Sequence, residues 1–194
     1  MIGDNGAMVK RPRSALPGAG RWWSRTRGLP REVHEAFVAS LDLPSSSPAP
    51  RILARAETPD GVCIGGPALL SYGNTAHWTH VGWHQIERGG WNVETARLRW
   101  TLYGGQQGFV ELSQPGRLPE LFRERVAASI VLEKFVPLQG GRGVTIVGRR
   151  DLGKSDAPII WHTTLGRGLS WDADGVQEVA DTALAQVQAE YDIA

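Results

Sequence analysis

The region from residue 51 to residue 113 consists of short runs of strand-forming residues separated by turn residues, and this pattern limits the fold most. The run RILARAE alternates its side chains, TPDG forms a turn, and the tryptophan-rich runs that follow end near glycine pairs. Consecutive strands joined by short turns pair antiparallel with their neighbours. We therefore expect an antiparallel meander. The run VCIGGPALLSYG fits two strands or one bent strand equally well.

Three segments predict helices. A short helix is expected within residues 29–43, where Pro30 suits a first turn, and a second is expected at residues 118–128. The third, at the C-terminus, has the most regular apolar stripe, which we expect to pack against the open face of the sheet. That stripe consists of Val176, Val179, Ala180, Ala183, Leu184, Val187 and Tyr191. Residues 129–136 fit either a helix or a strand.

The chain of 194 residues is long enough for one domain with appendages. We predict a flexible basic arm at residues 1–28, the short helix at 29–43, a proline-rich linker at 44–50 and a folded domain at 51–192. No apolar run approaches the roughly 18 residues that span a bilayer, and the N-terminus has no apolar signal segment. We expect a cytoplasmic protein without a transmembrane segment.

Three histidines, His77, His80 and His84, would share one side of a helix and could then bind zinc. Glycines interrupt this segment, so we interpret residues 76–92 as a strand that presents an apolar wall. In a strand, His80 and His84 share one face, whereas His77 shares the other with Val81 and Trp83. The shared pair would still lie roughly 13 Å apart, which is too far for two ligands of one ion. We expect no metal and no cofactor.

The tryptophans at positions 83, 91, 100 and 161 lie in or beside predicted strands, and we expect them to pack across strands. The single cysteine, Cys63, has apolar neighbours and no partner for an internal disulfide. We therefore expect Cys63 to be buried and unreactive.

No nucleotide-binding or hydrolase motif is present, and the carboxylates on the predicted strands occur singly. The candidates for binding are basic or aromatic. Those in the arm are Arg21, Trp22, Trp23, Arg25 and Arg27, and those in the folded region are Arg123, Arg125, Arg149 and Arg150. The arm residues could contact a partner, a membrane surface or nucleic acid. The arginines of the folded region could bind an anion, or could simply lie on a helix face with ion pairs and at a strand end.

The order of these runs resembles that of bacterial pleckstrin-homology-like (PH-like) proteins. It comprises a strand, a bent strand ending PALLSYG, the run VGWHQIERGGWN, the strands ARLRWTL and GFVEL, and then a helix. In that family a strand with a T-x-x-x-L segment precedes one with an apolar-x-x-Ile motif, which corresponds here to residues 83–86. The resemblance covers residues 51–138. The chain also resembles an uncharacterised actinobacterial protein group through its segments RERV-x-x-SIV and GRR.

The resemblance implies an α+β fold, an antiparallel β-roll or barrel closed by helices, here elaborated by the last strands and the C-terminal amphipathic helix. It implies an interaction module and transfers no catalytic residue. The phosphoinositide-binding loop of eukaryotic relatives corresponds to ETPDG, where Glu57 and Asp60 stand in place of lysines, so binding of inositol lipids is not carried over.

We expect a non-enzymatic protein-interaction or scaffolding module whose partner is another protein. One alternative is peripheral binding of an anionic membrane or nucleic acid through the basic arm. A second alternative is an enzyme with a pocket between the sheet and the C-terminal helix. The sequence leaves the oligomeric state open.

Overall fold

The computed structural model describes residues 28–44, 46–138 and 141–192, in which ten antiparallel strands and three helices are found. The first sheet contains β1 (Ala54–Thr58), β2 (Gly61–Gly65), β3 (Leu69–Gly73) and β4 (Trp78–Gly82). The second contains β5 (Ile86–Asn92), β6 (Arg97–Leu102) and β7 (Gln107–Glu111). The third contains β8 (Ile130–Pro137), β9 (Gly143–Arg150) and β10 (Ile159–Leu165). The helices are α1 (Arg31–Ser40), α2 (Leu118–Ala128) and α3 (Val176–Asp192).

The structure confirms the α+β class and the antiparallel meander. The strand order is β1-β2-β3-β4 in the first sheet, β5-β6-β7 in the second and β10-β9-β8 in the third. Across the described residues these sheets remain separate, so the strands do not close into a barrel. The run VCIGGPALLSYG forms two strands, β2 and β3. Residues 130–137 form a strand, which settles the open choice for that segment.

The main core lies between the first two sheets and α2. Trp83 is fully buried there, and its ring meets that of Phe122 edge to face with centroids 5.9 Å apart. Its indole Nε1 donates a hydrogen bond to Gly66 O at 3.1 Å, so the polar atom of the buried ring is satisfied. A side chain at Gly65 would place its Cβ 2.5 Å from Leu121 Cδ2. The glycine therefore allows α2 to approach β2 closely.

A backbone hydrogen bond joins the two sheets that surround the main core. Ser113 N, just after β7, donates to Glu57 O of β1 at 2.9 Å. The end of the second sheet is thereby held against the edge of the first. Together with α2, which contacts β1, β2 and β5, this bond encloses one core between the two sheets.

Helix α1 packs on the opposite face of the first sheet. Phe37 is buried in this contact, and its ring lies 5.1 Å from that of Trp78 in β4. A smaller core forms around Phe37, with buried side chains from the helix entry and from β2. The other buried members are Leu29, Ile52, Val62 and Ile64. The predicted short helix is therefore part of the folded structure.

Helix α3 packs on the third sheet. The ring of Tyr191 meets that of Trp161 in β10 edge to face, with centroids 6.1 Å apart, and Lys134 Nζ of β8 lies 3.6 Å from Glu190 Oε2. The expectation that α3 covers the sheet of the meander is wrong. Helix α2 packs against the first and second sheets instead, and α3 lies against the third. Within the stripe, Val176, Ala180 and Val187 are buried, whereas Val179 is exposed, which corrects its predicted burial. None of the helices in the described residues has the length and apolar character that a membrane span requires.

Residues 76–92 do not form a single strand. Strand β4 ends at Gly82, a 3-10 turn occupies Trp83–Gln85, and β5 begins at Ile86. The Gln85 side chain stabilises this turn by accepting a hydrogen bond from Gly82 N at 2.8 Å. The predicted alternation is correct within β4, where Val81 enters the main core. It is wrong for His84, which lies beyond the strand and shares no face with His80.

Candidate functional site

The outward face of the second sheet carries a basic surface that depends on a β-bulge. The register of β5 against β6 shifts between Ile86 and Arg88. Because of this extra residue, Ile86 is fully buried and Arg88 is exposed, although residues two apart in a regular strand face the same side. The bulge therefore moves Arg88 onto the solvent side of the sheet.

The middle strand adds two arginines to this face. Arg97 and Arg99 of β6 point outward. The residues that alternate with them, Leu98 and Trp100, are buried in the main core. This is the alternation that a strand covered on one side produces. Arg99 pairs across the sheet with Phe109 of β7. The arginines and one aromatic ring thus lie side by side.

Arg97 is held in place by its neighbours on the sheet. Its Nη2 lies 3.4 Å from Glu111 Oε2, and its Cζ lies 4.7 Å from the ring centroid of Phe109. The ring remains 55% exposed despite this contact. An ion pair between half-exposed groups contributes at most about 1 kcal/mol, so its main effect is to orient the guanidinium along the sheet.

Arg88 and Arg99 have no such partners. Both are exposed, and within the described residues neither side chain makes a hydrogen bond, an ion pair or a ring contact. They border an open groove of about 780 Å³. We call this surface the arginine groove. Its lining includes Arg88, Gly90, Arg97, Arg99 and Phe109.

A second cavity begins on the other side of Phe109. It has a volume of about 340 Å³ and is lined by the turn between β1 and β2, including Asp60, and by Tyr72 and His77. Phe109 lines both cavities. The exposed ring therefore stands between a basic surface and one that contains acidic and aromatic groups.

The candidates in the arm, Arg21, Trp22, Trp23, Arg25 and Arg27, lie outside the described residues, so binding through the arm stays a prediction.

The two candidates on α2 lie in different environments. Arg123 is exposed and has no partner within the described residues. Arg125 is half-buried, its Nη1 donates to Pro67 O at 3.5 Å, and its buried Nε has no hydrogen-bond partner there. It lines a cavity of about 400 Å³ with Arg51 and Arg117. Arg117 is already paired with glutamates of α2. The three arginines of this cavity therefore supply less unpaired positive charge than three arginines without partners would.

The two candidates at the end of β9 also differ from the expectation of a surface strand end. Arg149 is only 3% exposed, and its guanidinium donates to Tyr103 Oη, Val126 O and Ser129 Oγ at 2.7 to 2.9 Å. These bonds use Nε and Nη1, and the burial of the side chain leaves little of the guanidinium accessible to an anion. Arg150 is half-buried, and its Nε has no partner in the described part of the chain. The structure does not bring Arg149 and Arg150 together with Arg123 at one open site.

The histidines of residues 76–92 are distributed over separate environments. His80 Nε2 donates to Ser40 O at 3.2 Å, so Nδ1 accepts from Ser71 Oγ at 2.8 Å. Burial lowers the pKa of His80, while the hydrogen bond to Ser40 O opposes that change. His77 is exposed, and His84 Nδ1 lies 3.8 Å from Asp151 Oδ1. Over residues 28–44, 46–138 and 141–192, no three His, Cys, Asp or Glu side chains are grouped as metal ligands would be.

Cys63 is fully buried, as predicted. Burial raises the pKa of its thiol well above the usual range, because a thiolate would lose its hydration. The thiol is therefore protonated at neutral pH and unreactive.

The residues of the arginine groove were missed by the sequence analysis, although a signal for two of them exists. In the run RLRW, arginines alternate with large apolar residues, and the period of two places Arg97 and Arg99 on the solvent side. The sequence contains no comparable signal for Arg88, because its direction depends on the bulge.

Comparisons of this chain with protein-family models, with curated proteins and with solved structures gave no match.

Proposed function

We propose that this chain is a non-enzymatic PH-like protein-interaction module of the cytoplasm, and that it binds a segment of another protein in the arginine groove. The PH-like part of the proposal is supported by the order of the elements. A four-stranded meander is followed by a three-stranded one and then by α2, which covers their shared core. This corresponds to the roll closed by a helix that the resemblance implies. Strand β8 pairs with β9 in the third sheet, so the PH-like part would end near residue 128 rather than 138.

One observation carries the proposed function. The arginine groove combines two exposed arginines that lack partners with an exposed phenylalanine on a rigid sheet. Aromatic residues and arginines are the side chains that most often dominate the energy of protein interfaces. The backbone of the groove is held by a sheet whose other face forms the main core, which limits the backbone entropy lost on association.

The proposal is tested by site-specific crosslinking in the native cell. The photoreactive residue p-benzoylphenylalanine replaces Phe109 in one variant and Phe135 in the other. Phe135 is the matched control, because it is a similarly exposed phenylalanine on the third sheet. We expect a discrete protein adduct from position 109 and a much weaker one from position 135.

The captured protein is then identified, purified and titrated against the chain. We expect Phe109→Ala to weaken binding by about tenfold and Phe135→Ala to leave it unchanged, as for an interface anchor. Equal crosslinking at both positions, or binding of the purified partner that is insensitive to Phe109→Ala, would contradict the proposal.

A further inference from the structure

We infer that the arginine groove recognises an acidic, extended peptide segment, with carboxylates on Arg88 and Arg99 and an apolar side chain on Phe109. The inference rests on the proposed function and specifies the chemistry of the partner.

The charge of the groove is the first argument. Glu111 and the ring of Phe109 already hold the guanidinium of Arg97. The unpaired positive charges of the groove are therefore those of Arg88 and Arg99. A guanidinium offers a planar pair of donors that matches the two oxygens of a carboxylate. Each of the two arginines is free to make such a pair.

The spacing of the two arginines is the second argument. Arg88 pairs across the sheet with Thr101, which is two residues from Arg99 on β6. The two arginines are therefore diagonal neighbours, about 7 to 8 Å apart at their Cα atoms. Side chains on one face of an extended peptide repeat roughly every 6.6 Å. Acidic residues two apart in such a peptide would meet both guanidinium groups.

The surface beside Arg99 provides room for the peptide backbone. Gly90 lies opposite Arg99 on β5, and a Cβ added there would meet no atom within 4 Å. On the other side Arg99 pairs with Phe109, whose exposed ring offers an apolar contact next to the charged ones. A segment that lies along the Arg88–Arg99 diagonal therefore has open space beside it at Gly90 and an aromatic ring beside it at Phe109.

The groove fits a peptide better than a nucleic acid. Among the described residues that line it, Phe109 is the only large exposed hydrophobic one, whereas single-stranded nucleic acids are bound by several rings on which successive bases stack. Glu111 adds a negative charge to the same face, and the net charge of the chain is only +1. A long polyanion requires a broad basic field, whereas two free arginines suit a short acidic segment.

The inference is tested by titrating the full chain into a fluorescein-labelled peptide of sequence Glu-Ala-Glu-Phe-Glu-Ala-Glu and following fluorescence anisotropy. We expect binding that weakens with added salt. The double variant R88A/R99A should bind at least about tenfold more weakly, because two charge-assisted contacts are lost. The matched control is Arg167→Ala, an exposed arginine outside the groove without a partner in the described residues, and it should bind like the wild type.

Three further probes make the result decisive. A peptide with Gln in place of each Glu should bind much more weakly, and an oligothymidine or a phosphatidylserine vesicle should show no binding that depends on Arg88 and Arg99. Equal binding of both peptides, an unchanged affinity of R88A/R99A, or tighter arginine-dependent binding of oligothymidine or vesicles would overturn the inference. If the acidic peptide fails while a protein is still captured at position 109, the acidic partner is wrong and the proposed function stands.

Discussion

Tyr103 and His162 stack face to face, with ring centroids 3.5 Å apart and planes inclined by only 4°. Tyr103 follows β6 and His162 lies in β10, so the stack joins the second sheet to the third. The guanidinium of Arg149 binds the same tyrosine, with Nε donating to Tyr103 Oη at 2.9 Å. Its Nη1 donates to Val126 O and Ser129 Oγ at the end of α2. The polar cluster thus fixes the third sheet relative to the main core.

Replacing Arg149 should destabilise the whole chain. In Arg149→Met the part-buried oxygens of Tyr103 and Val126 and the buried Ser129 Oγ lose a common charged donor, although Ser129 Oγ still donates to Val126 O at 2.7 Å. A hydrogen bond to a charged group contributes about 1.5–3 kcal/mol. We expect the free energy of unfolding to fall by about 2–4 kcal/mol in urea titrations. The control is Arg123→Met at an exposed position, where a change within about 0.5 kcal/mol is expected. Similar losses in both variants would mean that the buried hydrogen bonds contribute little.

Removing the ring of Trp83 should be among the most destabilising substitutions in the main core. The side chain is fully buried, packs edge to face on Phe122 and donates to Gly66 O. We expect Trp83→Ala to lower the free energy of unfolding by about 3–5 kcal/mol and Trp83→Phe to lower it by less, because Phe keeps most of the apolar volume. Trp171→Ala, at an exposed tryptophan, serves as the control. A loss at Trp83 that does not exceed the loss at Trp171 would contradict this account of the core.

The strand at β6 was predicted, and Trp100, which was expected to pack across strands, is buried in the main core. The division of the meander into two sheets was not predicted. It depends on the 3-10 turn at Trp83–Gln85, where the Gln85 side chain bonds back to Gly82 N. Such a local side-chain contact does not alter the hydrophobic period, so the segment was interpreted as one continuous strand.

The candidate site was harder to predict than the fold. The run RRD placed Arg149 at a strand end and therefore at the surface, yet three oxygens from distant parts of the chain surround it. A charged residue is expected to be exposed unless the fold brings hydrogen-bond acceptors together around it. The direction of Arg88 likewise depends on a bulge that shifts the register against β6. Both features depend on three-dimensional neighbours and not on spacing along the chain.

Gly89 and Gly90 are adjacent in β5 but should respond differently to substitution by alanine. A Cβ at Gly89 would lie 2.5 Å from Arg99 O and 2.7 Å from Phe122 Cζ, whereas a Cβ at Gly90 would meet nothing within 4 Å. We expect Gly89→Ala to lower the free energy of unfolding by about 1–3 kcal/mol, because it overpacks the contact between β5 and α2. Gly90→Ala should change stability little. Urea titration of both variants measures the change in the free energy of unfolding. Equal changes would mean that β5 shifts away from β6 and α2 at little cost.

The stability of the fold should fall on mild acidification, partly because of His162. Burial lowers the pKa of His162 below its usual value of 6.5, and electrostatic interactions with Arg149 and His84 act in the same direction. Asp151, whose Oδ1 lies 3.8 Å from His84 Nδ1, is the acidic group beside this cluster. As the pH falls, His162 is protonated in the unfolded chain before it is protonated in the folded chain, which favours the unfolded state. The contribution of His162 is therefore complete above pH 6.5 and is lost as the pH falls through the lower pKa of the folded state.

The measurement is the free energy of unfolding from urea titrations between about pH 5 and pH 7, compared among the wild type, His162→Gln and His77→Gln. We expect stability to rise with pH in the wild type and the rise to be smaller in His162→Gln, which has no proton to gain at that position. His77 is exposed, so His77→Gln should keep the wild-type slope. Part of the slope should persist in every variant because burial also lowers the pKa of His80. If His162→Gln keeps the full slope while His77→Gln loses part of it, the stacked imidazole does not supply the acid sensitivity of this fold.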